Sequence, residues 1–216
     1  MAQSLKFRGV DLSQSGRRLR RTAKQPYHFL NRTSPEDTRI LFILGCQRSG
    51  TTLLTRIFDR DWQASVYHEK STLSSRDAPK HLRLNPLPEV AATFDRNRAG
   101  LIVAKPLVES QNAPEILDGI DNSRAIWLYR HYDDVAASYV RKWGFGHSMR
   151  DLRSIVNALP GDWRYEKVSD ELREVVIRYF DEDMNSYDAS ALYWLVRNQE
   201  YFDLELENDP RVILCQ

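Results

Sequence analysis

The 216 residues carry 42% apolar, 11% aromatic and 28% charged side chains, with only 9 Gly and 9 Pro. That excludes a disordered, collagen-like or coiled-coil chain and leaves one globular domain, or two small ones. A net charge of +1 excludes a nucleic-acid binder working through bulk charge, and Cys46 and Cys215 are too few for a disulfide framework or a Cys-rich zinc site.

Residues 1–32 hold Lys6, Arg8, Arg17, Arg18, Arg20, Arg21, Lys24 and Arg32 against Asp11 alone, a charge of +7, so the remaining 184 residues total −6. Residues 1–36 are read as a basic, flexible N-terminal arm, in which Arg17-Arg18-Leu19-Arg20-Arg21 could touch a phosphate-rich surface or a membrane headgroup. Met1 to Val10 lacks the apolar core of a signal peptide, and no apolar run approaches the ~20 residues of a membrane span. A cytoplasmic protein without a transmembrane segment is therefore expected, and Asn31-Arg32-Thr33 is a chance match to a glycosylation sequon.

From residue 37 onward, four apolar runs have strand length: Ile40–Leu44, Leu101–Ala104, Ala125–Tyr129 and Val212–Cys215. None alternates with polar residues, which is the pattern of strands covered on both faces. Thr51–Asp59, Asp133–Lys142, Ser169–Phe180 and Asp188–Glu205 have helical character. The alternation predicts an α/β fold over 37–216, a three-layer parallel sheet flanked by helices. The stretch 71–98, with Pro79, Pro86 and Pro88, reads as irregular and site-surrounding. The last run, read as a buried strand, stops at Gln216 without a turn, and the expectation is a fragment incomplete at its C-terminus with little or no activity.

Gly45-Cys46-Gln47-Arg48-Ser49-Gly50-Thr51-Thr52 follows the first run and opens a helix. Its glycines are five apart, as in the phosphate loop GxxxxGK(S/T), where small residues let successive N–H groups converge on a phosphate at a helix N-terminus. Thr51 stands in place of the lysine, and the cation sits inside the loop as Arg48. That suits a 5′-phosphate carrying another group better than a magnesium nucleoside triphosphate. Arg130 falls at the end of the third run, where open α/β sheets bind ligands. Asp133 and Asp134 suit the first turn of a helix, and Ser138 lies one and a half turns in, leaning back toward the N-terminus. Arg130 and Ser138 could grip one phosphate, the first by charge and the second by hydrogen bond.

Together the two segments resemble the sulfotransferase family, which transfers a sulfuryl group from 3′-phosphoadenosine-5′-phosphosulfate (PAPS). Ile43 to Leu53 is similar to its 5′-phosphosulfate loop in the Arg-containing form of bacterial and tyrosylprotein-type members. Trp127 to Tyr139 is similar to its 3′-phosphate segment, with His131-Tyr132 replacing part of the common Arg-x-Pro pattern. The resemblance runs from about Ile40 to Gln216. It implies a P-loop-containing sulfotransferase-like fold and PAPS as donor, with no metal. Gly45, Gln47, Arg48, Ser49, Gly50, Thr51, Thr52, Arg130 and Ser138 would bind it. Relatives continue past this point into an Arg-Lys-Gly-like loop that reaches the 3′-phosphate.

A base must take the acceptor's proton. Many cytosolic members use a His shortly after a Lys on the second strand; Lys105 matches that Lys, but Pro106-Leu107 follow and the His is absent. Tyrosylprotein-type members use a Glu about twenty residues past the loop Arg, which the resemblance carries onto Glu69, with His68 as its neighbouring rival. Glu69, Lys105 and Arg48 are thus the candidate catalytic residues. His81, His131 and His147 lack a readable partner and are assigned structural or surface roles.

The expected partners are PAPS, its bisphosphate product and an acceptor with a hydroxyl or amine; nucleic acid is not among them. Trp143, Phe145, Trp163 and Tyr165 within 143–165 are expected to shape the acceptor pocket together with 71–98. Two other readings stay open. One is a P-loop nucleotide kinase or NTPase, which would need a Lys at position 51 and an acidic strand end. The other is a non-catalytic nucleotide-binding fragment.

Overall fold

The computed structural model describes residues 14–75, 82–106 and 108–216, with the backbone alone for 14–21. The readings of Lys6, Arg8, Asp11, Pro79, His81 and Leu107 lie outside the described residues. Five strands, β1 (Arg39–Gly45), β2 (Ala64–Tyr67), β3 (Leu101–Ala104), β4 (Ser123–Leu128) and β5 (Val212–Cys215), form one sheet in the order β2-β3-β1-β4-β5. Every neighbouring pair is parallel. Parallel strands need crossovers, and the helices supply them.

The apolar runs are continuous because helices cover both faces of the central strands. Phe42 and Leu44 of β1, Ile102 of β3 and Trp127 of β4 pack on one side against Val90 and Phe94 of α3 (Leu87–Asp95) and Ile116 of α4 (Ala113–Gly119). Ile43, Val66, Val103 and Leu128 pack on the other against Leu54 and Phe58 of α2 (Thr51–Phe58). Between β4 and β5 come α5 (Tyr132–Trp143), α6 (His147–Val156), α7 (Asp170–Tyr179) and α8 (Ser186–Asp203). These build a helical cluster of their own around Tyr139, Leu152, Ile155, Val176 and Val196.

The chain leaves β1 for the β2 edge through α2 on one face, and leaves β3 and β4 toward the β5 edge through helices on the other. The strand ends around β1 therefore form a topological switch point, the place where open α/β sheets leave a crevice for a ligand.

Four elements differ from the sequence expectation. A helix, α1 (Gln14–Leu30), lies within the segment read as an arm. β2 has no apolar run; its Ser65 is matched by Asn97, whose Nδ2 donates to Ser65 Oγ at 2.9 Å. The stretch 71–98 is not irregular throughout, because Pro86 precedes and Pro88 joins the first turn of α3. Proline is favoured there, since those N–H groups have no helical partner. β5 is not a buried strand: it pairs on one side only, and Ile213 and Leu214 are 59% and 47% exposed.

Candidate active site

β1 ends at Gly45, whose φ is +114°, and a Cβ there would lie 2.5 Å from the Leu128 carbonyl oxygen of the neighbouring strand. Only glycine fits so close an approach. Its N–H donates to the hydroxyl of fully buried Ser110 at 3.0 Å. Arg48 is also left-handed, at φ 72°, a strain that a non-glycine residue bears where the surrounding fold demands it. Gly50, at φ +104°, precedes α2 and accepts from Leu53 and Leu54 N–H at 2.8 and 3.1 Å. The loop thus delivers the chain to a helix N-terminus whose first N–H groups lack intrahelical partners. Gly45→Ala should destabilise the protein by roughly 1–3 kcal/mol through backbone strain, read as a shift of the urea midpoint.

Lys105 follows β3, is 4% exposed, and its Nζ donates to Thr52 Oγ1 at 2.8 Å. The same ammonium is ion-paired with the Glu69 carboxylate. The cation missing at position 51 is therefore delivered to the helix end of the loop from another strand. His68 turns elsewhere, its Nε2 2.9 Å from the Asp59 carboxylate at the far end of α2. Of the two rivals, the structure brings Glu69 to the loop and sends His68 away. Cys46 lies within the loop but is fully buried, and burial pushes its thiol up to about 12, against the nearby Arg197. It stays a thiol at neutral pH and is no nucleophile.

Toward α5, Arg48 Nε donates to Ser138 Oγ at 3.1 Å, and its guanidinium lies 5.4 Å from the centre of the Trp143 ring. Ser138 thus meets Arg48 rather than Arg130. Arg130 is half exposed and pairs with Asp134 at 3.2 Å, while its carbonyl accepts from Trp194 Nε1 at 2.9 Å. Asp134 and Ser138 are four apart and share one face of α5. Gln47 and Ser49 are buried, and Gln47 Oε1 has no hydrogen-bond partner among the described residues.

Beneath the loop lies a buried polar network. Arg197 is ion-paired with Glu200, and its Nη2 donates to Gln111 Oε1 at 3.2 Å. Gln111 Nε2 donates to Glu166 at 2.9 Å, and Arg83 bridges Glu166 to buried Glu109. Burial raises the Glu200 carboxyl to about 7, with Arg197 opposing. A carboxyl held up in the folded state favours folding below its unfolded value and loses that contribution as pH rises toward 7. Glu200→Gln should remove this part of the fall in stability, read from urea midpoints at about pH 5 and about pH 7.5.

The aromatic residues of 143–165 divide. Trp143 and Phe145 are exposed, whereas Trp163 packs in the helical cluster with the Arg164 and Arg197 guanidinium groups 4.8 and 5.2 Å from its ring centre. Tyr165 is half-buried. His131 caps α5, and His147 stacks on Trp143 with ring centres 4.9 Å apart. Burial lowers the pKa of His147. Ser110 and the Trp143 contact were not foreseen, because the first depends on a turn after another strand and the second on a residue fourteen past Tyr129.

Among the described residues, no group of three or more His, Cys, Asp and Glu side chains could hold a metal ion. None of the helices there is long and apolar enough to cross a membrane. No protein-family model matches the chain, and no curated protein matches it.

Proposed function

We propose that the chain is a sulfotransferase that moves a sulfuryl group from PAPS to a hydroxyl or amine acceptor, on a P-loop sulfotransferase-like fold. The observation that carries this reading is the meeting of Lys105 with both Thr52 and Glu69 at the helix end of the Gly45–Thr52 loop. A positioned carboxylate, a cation and a set of loop N–H groups are the parts such a transfer requires.

In this reading the 5′-phosphosulfate lies on the loop, held by its N–H groups and the Arg48 guanidinium. The acceptor oxygen or nitrogen forms a bond to sulfur as the bond from sulfur to the 5′-phosphate oxygen breaks, and the acceptor proton passes to Glu69. Adenosine 3′,5′-bisphosphate leaves with the negative charge that Arg48 and Lys105 face. In-line positioning and charge stabilisation are the same demands that phosphoryl transfer makes. The kinase reading lacks support from position 51, which is Thr, and from the ends of β3 and β4, which lead into Lys105 and Arg130 rather than an acidic residue.

Incubation with sulfur-labelled PAPS and a panel of phenols, sugars, lipids, peptides and amines tests the reading. Label on one acceptor class, with stoichiometric release of the bisphosphate, is expected. Hydrolysis of MgATP with no label transferred to any of them would overturn it.

Arg130 is assigned the 3′-phosphate. Arg130→Ala should weaken bisphosphate binding by roughly 1.5–3 kcal/mol, the range of a charged hydrogen bond, and leave AMP binding unchanged. Calorimetric titration of both nucleotides against both proteins checks it.

A further inference from the structure

Part of the basic segment left out of the site, Gln14–Leu30, is the helix α1. α1 is fixed to the domain along one face: Lys24 Nζ donates to the Ala64 carbonyl at 3.0 Å, and the His28 ring donates to the Trp62 carbonyl at 2.8 Å. The Tyr27 and Trp62 rings meet edge to face with centres 6.0 Å apart. The next two residues of the helix, Phe29 and Leu30, are 73% and 81% exposed, and Trp62, against Tyr27, is 50% exposed. The same helix carries Arg17, Arg18, Arg20 and Arg21, and Arg32 follows its end.

We infer that this end of α1 is a docking surface for an anionic lipid bilayer, with Phe29 and Leu30 entering the headgroup boundary and the net positive charge of residues 1–32 supplying the attraction. Two large exposed apolar side chains at a helix end match the way peripheral helices lie in a membrane surface. The net charge of +7 over residues 1–32 is attracted by the negative surface potential of anionic lipids. Charge decides against the other occupants. A second copy would bring an identical basic helix against this one. A nucleic acid would satisfy the arginines but offers no place for exposed Phe29 and Leu30. The +7 of residues 1–32 against −6 for the rest favours contact with a negative surface through this segment rather than through the remainder.

Flotation of the full chain with vesicles tests the inference without reference to any activity. Vesicles of phosphatidylcholine with about 30% phosphatidylserine should carry the protein, and phosphatidylcholine alone should not. Binding should fall as NaCl rises from about 0.1 to about 0.5 M. Phe29→Ser with Leu30→Ser should weaken it at least about tenfold with an unchanged melting temperature, since both side chains are exposed. Replacement of Arg17, Arg18, Arg20 and Arg21 by Gln should weaken it as much. Equal binding to both vesicle types, binding to neither, retained binding by the Phe29/Leu30 variant, or tighter binding to duplex RNA than to the anionic vesicles would overturn the inference.

Discussion

In a form that turns over PAPS, Glu69→Gln lowers kcat by at least about 10²-fold while leaving affinity for adenosine 3′,5′-bisphosphate nearly unchanged. The size follows from the role, since a positioned base contributes about 10²–10⁴-fold. The separation of kcat from binding follows from the geometry. Glu69 pairs with Lys105 rather than with the loop, so the loop N–H groups and Arg48 keep their places when the carboxylate becomes an amide. Gln retains the shape and an oxygen for Lys105 but cannot accept the proton. His68→Ala is the control: with His68 turned toward Asp59, it should change kcat by less than about threefold. Steady-state rates for both variants and one bisphosphate titration of each make the comparison, and loss of activity in His68→Ala with retention in Glu69→Gln would reverse the assignment.

The second large effect is on stability. Arg197→Ala should cost about 3–5 kcal/mol, the range for breaking a buried ion pair from one side. Arg197 is fully buried, Glu200 is 2% exposed, and the deletion also strands Gln111 Oε1 and the face of Trp163. Against a total of about 5–15 kcal/mol for a domain, that is a substantial share of the whole. Arg197→Met combined with Glu200→Met removes both charges and should recover most of the loss, because the cost lies in the uncompensated partner. Urea unfolding of the two variants decides it. A single substitution that costs under about 1 kcal/mol would mean that the network is solvated.

The central strands were legible because their environment leaves a direct trace in residue type. β1, β3 and β4 are covered on both faces, and Phe42, Ile43, Val103 and Trp127 show it as unbroken apolar runs. The same signal misleads at β5, since apolar type says what a residue tolerates and not how many neighbours the sheet gives it. β2 was hidden because Asn97, thirty-two residues away, supplies the partner for Ser65. Pro86 and Pro88 make 71–98 look irregular, yet they stand at the start of a helix. At the site, the loop was readable from glycine spacing, a local property. The contacts of Arg48 with Ser138 and of Lys105 with Thr52 span ninety and fifty-three positions, and no spacing rule links them. What joins them is the switch point, which exists only once the strand order is known.

Calorimetric titration with adenosine 3′,5′-bisphosphate, AMP and MgATP, the first two with chelator in place of metal, tests the account most directly. The account predicts binding of the bisphosphate without metal, with affinity at least about tenfold above AMP, and little or no binding of MgATP. Equal affinity for AMP and the bisphosphate, or a preference for MgATP, would contradict it.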